Sequence, residues 1–356
     1  MSNAFLDRPA RVRTGEELPA APLESFLLNH FPGAAGPLSI QQFPSGHSNL
    51  TYLVRFGGRE VVLRRPPFGS KVKSAHDMGR EYRVLSKLHS AYPEAPRVLL
   101  FCDDVSILGV PFYLMEPIRG VILRKDPPAE LNFSPEVARR LNEAFVDHLA
   151  LLHALDYSAI GLGDLGKPQG YLARQVGGWT ERYHASRTHD YIEADRIAAW
   201  LVDHLPAESR AALIHNDYKY DNMVLDPAEI TRIIGILDWE MCTIGDPLSD
   251  LGTTLAYWVD ARDADDLQAV RWCPSTYSGS LTRAQMVERY ARSTRRDVAN
   301  MPFYLAFGRF KVAVILQQIY YRYAQGLTKD SRFAALPAKV GTMLRASLQA
   351  AETGTI

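Results

Sequence analysis

The chain has 356 residues, too many for one core of ordinary size, so two domains or one large two-lobed fold are expected. Its 40 basic residues balance 40 acidic ones, and 47% of residues are hydrophobic against 22% charged; that removes any whole-chain argument for nucleic-acid or membrane binding and leaves room only for a local basic pocket. Cys102, Cys242 and Cys273 are odd in number and widely spaced, with no CxxC pair, so incidental thiols in a reduced, cytoplasmic setting are expected.

The opening residues, MSNAFLDRPARVRTGEELP, contain no apolar core of a secretory leader. Residues 1–20 read as a poorly ordered lead-in. Leu23 to Phe31 suggests a short helix stopped by Pro32-Gly33. Three strands then follow: Ser39 to Phe43, Asn49 to Phe56, and Glu60 to Arg65, the last two joined by a Gly57-Gly58 turn. Their connections are too short for crossover helices, so the sheet is antiparallel. A helix from Asp77 to Leu88 and two further strands, Arg97 to Cys102 and Pro111 to Met115, complete this β-rich part. Glu116-Pro-Ile-Arg-Gly reads as a break, with a linker at 116–120 between an N-terminal lobe at 21–115 and a C-terminal lobe at 121–356.

Beyond the break the pattern turns helical. Ser134-Pro135 is an N-cap with a first-turn proline, followed by the apolar stripe Val137, Leu141, Phe145, Leu149 and Leu152. Two helices are expected within 168–204, and others near 248–259, 282–295, 302–326 and 331–350, with Thr282 and Gln285 forming a capping box. The most apolar long stretch, Tyr304 to Ala324, is interrupted by Arg309, Lys311, Gln317 and Gln318, which favours a buried helix over a membrane span. Between the helices lies Leu213 to Asp238, where Asn222-Met-Val-Leu, an Asp226-Pro227 turn and the run Thr231 to Leu237 make a hairpin.

That hairpin carries the chemistry. Asp217 can take a proton from, or orient, a substrate hydroxyl; Asn222 and Asp238, at the start of one strand and the end of the next, offer oxygens to magnesium, which needs few protein ligands. Three other places fit phosphate chemistry. Gly46 in Pro44-Ser-Gly-His-Ser-Asn lets a backbone approach a ligand, with Ser48 and Asn49 as donors. Arg64, near the end of the third strand, could pair with nucleotide phosphates while Arg65 points to the opposite face. Glu81, on the helix that follows, could hold that cation in place. Taken singly, each of these is an ordinary turn or surface residue; the order of all four is what is specific.

In Ser45-Gly-His-Ser-Asn-Leu-Thr-Tyr, Val62-Leu-Arg-Arg-Pro-Pro, Gly79-Arg-Glu-Tyr-Arg-Val-Leu, Tyr113-Leu-Met-Glu, Ile214-His-Asn-Asp-Tyr-Lys-Tyr-Asp-Asn, Ile236-Leu-Asp-Trp-Glu and Gly245-Asp-Pro-Leu-Ser-Asp-Leu-Gly, the chain resembles the aminoglycoside phosphotransferase family, the small-molecule, choline-kinase-like branch of the protein-kinase-like fold. It is similar, more narrowly, to the kinase-like domains fused to some acyl-CoA dehydrogenases and to their stand-alone bacterial relatives. The resemblance implies an α+β, bilobal protein-kinase-like fold, with a small antiparallel β-rich N-lobe and a larger α-helical C-lobe holding the embedded hairpin. It implies ATP and magnesium as cofactors and transfer of the γ-phosphoryl group to a hydroxyl of a small molecule. Asp217 would be the catalytic residue, Asn222 and Asp238 the metal ligands, and Arg64 and Glu81 the phosphate-pairing cation and its brace. Met115 would lie at the back of the adenine pocket, with backbone groups of Glu116 and Ile118 at the adenine edge. His215 and Asp250 would support the catalytic loop.

Two departures stand out. The strand cation is Arg rather than the usual Lys, a bulkier and bidentate group. Glu240 follows the metal aspartate by two residues and could be a further ligand, a group just behind the metal or an exposed one, the last two being favoured. Arg174, Arg182, Arg309 and Lys311 could meet a carboxylate or phosphate, and the narrower resemblance suggests a hydroxy acid or hydroxyacyl thioester as acceptor. The competing reading is a nucleotide-binding sensor without turnover. Neither a nucleic-acid nor a membrane partner is expected, and the oligomeric state is not legible.

Overall fold

A computed structural model describes residues 8–31, 36–44, 49–68, 77–128, 130–328 and 330–356. In chain order the elements are α1 (Ala20–His30), β1 (Ser39–Gln42), β2 (Leu50–Phe56), β3 (Arg59–Arg65), α2 (Met78–Leu88), β4 (Val98–Cys102), α3 (Val105–Leu108) and β5 (Phe112–Met115). There follow α4 (Pro135–Ala154), α5 (Tyr171–Ser186), α6 (Ile192–Asp203), β6 (Ala212–Ile214), β7 (Met223–Leu225), β8 (Ile233–Ile236), β9 (Thr243–Gly245) and α7 (Pro247–Ala256). The chain ends with α8 (Asp265–Ala269), α9 (Arg283–Thr294), α10 (Met301–Ala324) and α11 (Leu336–Thr353). Among the described residues no helix is long and apolar enough to cross a membrane.

These elements form two compact units. The first comprises Met1–Ile122 and Asn222–Cys242; the second comprises Leu123–Asp221 and Thr243–Ile356. The sequence reading places the whole hairpin in the C-terminal lobe, whereas its packing groups Asn222–Cys242 with the N-terminal sheet. Local contacts explain the grouping. The Ile236 N–H donates to the Glu94 carbonyl at 2.7 Å, and Leu225 pairs with Val121. Trp239, fully buried, meets the Tyr92 ring edge-on at 6.1 Å.

The first unit is a five-stranded antiparallel sheet in the order β1-β2-β3-β5-β4. Strand alternation divides its residues between two faces. Leu50, Tyr52, Val54, Phe56, Val61 and Leu63 cluster with Leu23 and Leu27 of α1. The opposite face carries Val62, Arg64, Tyr113 and Met115 and receives α2, whose buried residues are Met78, Glu81, Val84, Leu85 and Leu88. Asp77 caps α2 by accepting from the Arg80 N–H. Gly57 and Gly58 both adopt positive φ, as the tight turn between β2 and β3 requires. Arg65 does point away from Arg64: its guanidinium lies 3.8 Å from the Phe68 ring.

The second unit is helical around α10, of whose residues fifteen are buried. This helix packs on α11, α7 and α5. The capping box of Thr282 and Gln285 is present at the start of α9. The short helix α8 lies outside the sequence reading, as do two further features. β6 and β9 form a two-stranded antiparallel ladder pairing Ala212 with Gly245 and Ile214 with Thr243; three-residue strands are too short to display an alternating pattern. The last helix starts at Leu336, because Ser331–Ala335 is a 3-10 turn capped by Asp330.

Candidate functional site

In the first unit, the candidate residues converge on Arg64. Its Nε donates to Glu81 at 3.0 Å and its Nη2 to Asp238, while Glu240 lies 3.9 Å from the same nitrogen. Arg64 is 9% and Glu81 2% exposed, so neither is the surface group that a lone strand arginine or helix glutamate usually is. Burial disfavours the charged form of Arg64, but Glu81, Asp238 and Glu240 more than offset it and hold the guanidinium above its usual range. Burial raises the Glu81 carboxyl, with Arg64 and the Tyr113 hydroxyl working against that rise.

Three carboxylates, Glu81, Asp238 and Glu240, thus lie around Arg64. Two of those carboxylates come from the hairpin. β7 pairs with β8, Met223 opposite Ile236, and the Leu237 N–H extends the ladder by donating to the Asn222 carbonyl at 2.8 Å. Asn222 and Asp238 therefore sit at the same end of the hairpin. Asp238 has φ 68°, a left-handed conformation that Asp tolerates better than most residues, and its side chain is 28% exposed. Two hard oxygen donors at one strand end, beside a group of carboxylates, suit magnesium. Among the described residues no group of three His, Cys, Asp or Glu side chains forms a metal cage, so a cation here would rely on the Asn222 and Asp238 pair.

Sequence reasoning did not supply the partners of this arrangement. Glu240 is half-buried, and its Oε2 accepts from the buried Asn49 amide at 2.6 Å. Arg80 donates to the Glu240 and Cys242 carbonyls at 3.2 and 2.6 Å. Arg80 and Glu240 were legible as charges, but nothing in their spacing brings positions 160 residues apart together. Met115 is buried on the α2 face. Glu116 is exposed, pairs with Arg97 at 2.9 Å, and its N–H donates to the Arg97 carbonyl; its carbonyl is the backbone group that can meet a ligand without breaking that bond. Ile118 is half-buried, and its side chain covers the Gly235 backbone. Gly46 and Ser48 lie outside the described residues.

In the second unit, Asp250 is fully buried on α7 and holds the loop after β6. Its Oδ2 accepts from the His215 N–H at 2.7 Å and its Oδ1 from the Asn216 N–H at 2.8 Å. The His153 Nε2 lies 3.1 Å from Oδ2, and Nδ1 lies 2.7 Å from the Tyr290 hydroxyl. Facing a carboxylate, Nε2 must be the protonated nitrogen. Burial would raise the Asp250 carboxyl, but the His153 and His215 contacts overcome it and hold the group below the usual carboxylate range. His215, also fully buried, accepts from the Asp217 N–H through Nδ1 at 3.3 Å. Asn216 between them has φ 67° and is held from both sides of its backbone: beside the N–H bond to Asp250, its carbonyl accepts from the Lys311 Nζ at 3.1 Å, and its side-chain oxygen from the Tyr171 hydroxyl at 3.1 Å.

The loop is thus clamped on every side while Asp217 itself stays 20% exposed at the side chain. Lys219 grips that carboxylate, 2.9 Å from Oδ1 and 2.8 Å from Oδ2. Lys219 and Lys311 were not assigned to the loop by sequence reasoning. The first carried a signal, a base two residues past the aspartate; the second comes from α10 and carried none.

An antiparallel sheet with a buried Arg–Glu pair, a hairpin ending in two oxygen donors, and a helical unit presenting a clamped aspartate define a kinase-like phosphotransferase fold. Solved structures agree. A provisionally named aminoglycoside phosphotransferase from Ralstonia eutropha matches with TM-score 0.80 at 30% identity, over 95% of this chain and 99% of that one. The aminoglycoside phosphotransferase APH(4)-Ia, solved as a ternary complex with AMP-PNP and hygromycin B, shares the fold with TM-score 0.57 at 16% identity, over 93% and 99% of the two chains. Residues 39–277 match the model of the APH phosphotransferase enzyme family, and the chain belongs to that family. Mouse acyl-CoA dehydrogenase family member 10 is 36% identical over 318 residues, 88% of this chain and 29% of that protein. The chain spans less than half the length of each curated relative it matches.

Proposed function

We propose that the chain is an ATP- and magnesium-dependent kinase that phosphorylates a hydroxyl of a small molecule, with a hydroxy acid or hydroxyacyl thioester as the acceptor class. The observation that carries this reading is the run of ion pairs from Glu81 through Arg64 to Asp238, which ends on the carboxylate at the metal-suited end of the hairpin. It fixes a guanidinium fork, the group that best matches phosphate oxygens, beside two oxygen donors. Asn222 and Asp238 would hold magnesium, which when bound neutralises phosphate charge. Arg64 would engage the phosphates, Glu81 would keep it oriented, and Gly46, Ser48 and Asn49 would close over them. Adenine presents one donor and one acceptor on its edge, which the Glu116 carbonyl and the Ile118 N–H would satisfy, with Met115 behind.

Asp217 would aim the acceptor hydroxyl and receive its proton, and Lys219 would offset charge on the phosphoryl group in transfer. His215 and Asp250 would hold the loop rigid, since most catalysis in such transfers comes from positioning and fixed electrostatics. Similarity to acyl-CoA dehydrogenase family members supports the acceptor class, as do the Lys219 and Lys311 cations near Asp217, which suit an anionic acceptor better than a polycationic aminoglycoside. Free, buried Cys102, Cys242 and Cys273 fit a reducing cytoplasmic setting.

Turnover measured as ADP release over a panel of hydroxy acids and their thioesters tests the reading. Asp217→Asn should lower kcat by about 10²–10⁴-fold and leave nucleotide-induced thermal stabilisation intact. Wild-type turnover in that variant would remove Asp217 from its role; stabilisation without turnover on any acceptor would favour the sensor.

A further inference from the structure

The second unit contains a cavity of about 370 Å³ lined by residues of α8, α9, α10 and α11. Four arginines face it: Arg262, Arg283, Arg309 and Arg345. Two of them are matched. Arg283 makes paired 2.6 Å contacts with Asp263 and lies 3.6 Å from Asp260, and Arg345 contacts Asp266 at 2.9 Å. The other two are not. Among the described residues Arg309 makes one hydrogen bond, from Nη1 to the Ala346 carbonyl at 2.9 Å, and no carboxylate lies within ion-pair distance of it. Arg309 is nevertheless only 6% exposed. Arg262 is exposed and likewise has no carboxylate partner among the described residues. The Nε of Arg283, also buried, has no acceptor.

A guanidinium with five donors, one of them used, buried against an open cavity is costly unless an anion supplies the missing charge and acceptors. Burial and the neighbouring Arg283 push Arg309 down to about 10, a shift that Asp263 and Asp260 oppose without cancelling. Arg309 and Lys311 are two positions apart on α10, which at 3.6 residues per turn places them on nearly opposite faces. Lys311 reaches the Asn216 carbonyl beside Asp217, while Arg309 reaches α11. The cavity is therefore separate from the acceptor side of the loop.

We infer that this cavity is a second ligand site, one that takes a small phosphate monoester whose dianionic group sits between Arg309 and Arg262. Asp260 and Asp263 act on Arg309 from a distance but are paired with Arg283, so Arg309 and Arg262 keep donor edges toward the cavity, and planar guanidinium forks match phosphate oxygens two at a time. The volume lies in the range of small-metabolite pockets and exceeds what a bare ion fills, so the phosphate carries an organic group.

The test is calorimetric titration and thermal shift of the full chain with methyl phosphate and with inorganic phosphate, in chloride buffer without nucleotide. Saturable binding is expected for both, tighter for methyl phosphate. Arg309→Met should weaken it at least ten-fold, and Arg262→Ala, at an exposed position, by several-fold. Asp217→Asn should bind as the wild type does. Absence of saturable binding, unchanged affinity in Arg262→Ala and Arg309→Met, or loss of binding in Asp217→Asn would each overturn the assignment, the last by moving the ligand to the phosphotransfer site.

Discussion

Removing the Glu81 carboxylate would leave Arg64 buried with a weaker set of partners. Breaking a buried pair from one side costs more than the pair contributes, because the remaining charge stays desolvated. Glu81→Ala should therefore lower stability by about 3 kcal/mol, read as a shift in the urea midpoint, and weaken nucleotide-induced stabilisation; a variant with wild-type midpoint would show that Asp238 and Glu240 alone satisfy Arg64. Lys311 invites the opposite experiment. Burial lowers it from 10.5 to about 8, so below pH 8 the folded protein holds a buried charge that the unfolded chain carries in water. The unfolded state binds the extra proton between those values, and stability rises with pH across that window. The interval corresponds to about 3 kcal/mol, reduced by about 1 kcal/mol for the hydrogen bond to Asn216. Lys311→Met should thus be more stable than wild type by about 2 kcal/mol at pH 7, the advantage vanishing above pH 10.5. Denaturation curves at pH 7 and pH 10.5 with the same difference between the two proteins would refute this. At this scale the sequence shows which residues stand together where they are consecutive, as in His215 to Asn222, and is blind where a residue arrives from another element. Lys311 and His153 look like helix residues until the helices are packed.

At the scale of elements, the crossing of α7 and α10 sets the position of the loop. Gly252 and Gly308 meet there with backbone against backbone: a Cβ on Gly308 would lie 2.3 Å from the Gly252 carbonyl oxygen, and one on Gly252 would lie 2.3 Å from that of Tyr304. Flexible side chains can yield to a methyl group; carbonyls at a helix crossing cannot. Gly308→Ala should force the helices apart at a cost of about 3 kcal/mol. Because α7 carries Asp250, the same variant should lower kcat although Gly308 touches no ligand. A variant with unchanged melting temperature and kcat would mean that the crossing relaxes freely. Elements of seven or more residues were legible because their periodicity repeats, and the hairpin was legible from its turn. β6 and β9 were not, since register between strands three residues long is set by the fold around them. Nor could the partner of the hairpin be read: its grouping with the N-terminal sheet depends on Trp239, Tyr92 and Glu94, contacts made at long sequence separation.

For the molecule as a whole, that grouping makes the first unit discontinuous. A chain ending at Ile122 would lack β7, β8, Trp239 and two of the three carboxylates around Arg64. Residues 1–122 expressed alone should accordingly show no cooperative unfolding transition by circular dichroism, and a sharp two-state transition in that fragment would refute the dependence. Synthesis imposes the same gap in time. At roughly 5–20 residues per second, on the order of 10 s separates the emergence of Ile122 from that of Cys242. Through that interval the first unit lacks β7, β8 and Trp239, so it cannot reach its final packing before the loop after β6 has already been made.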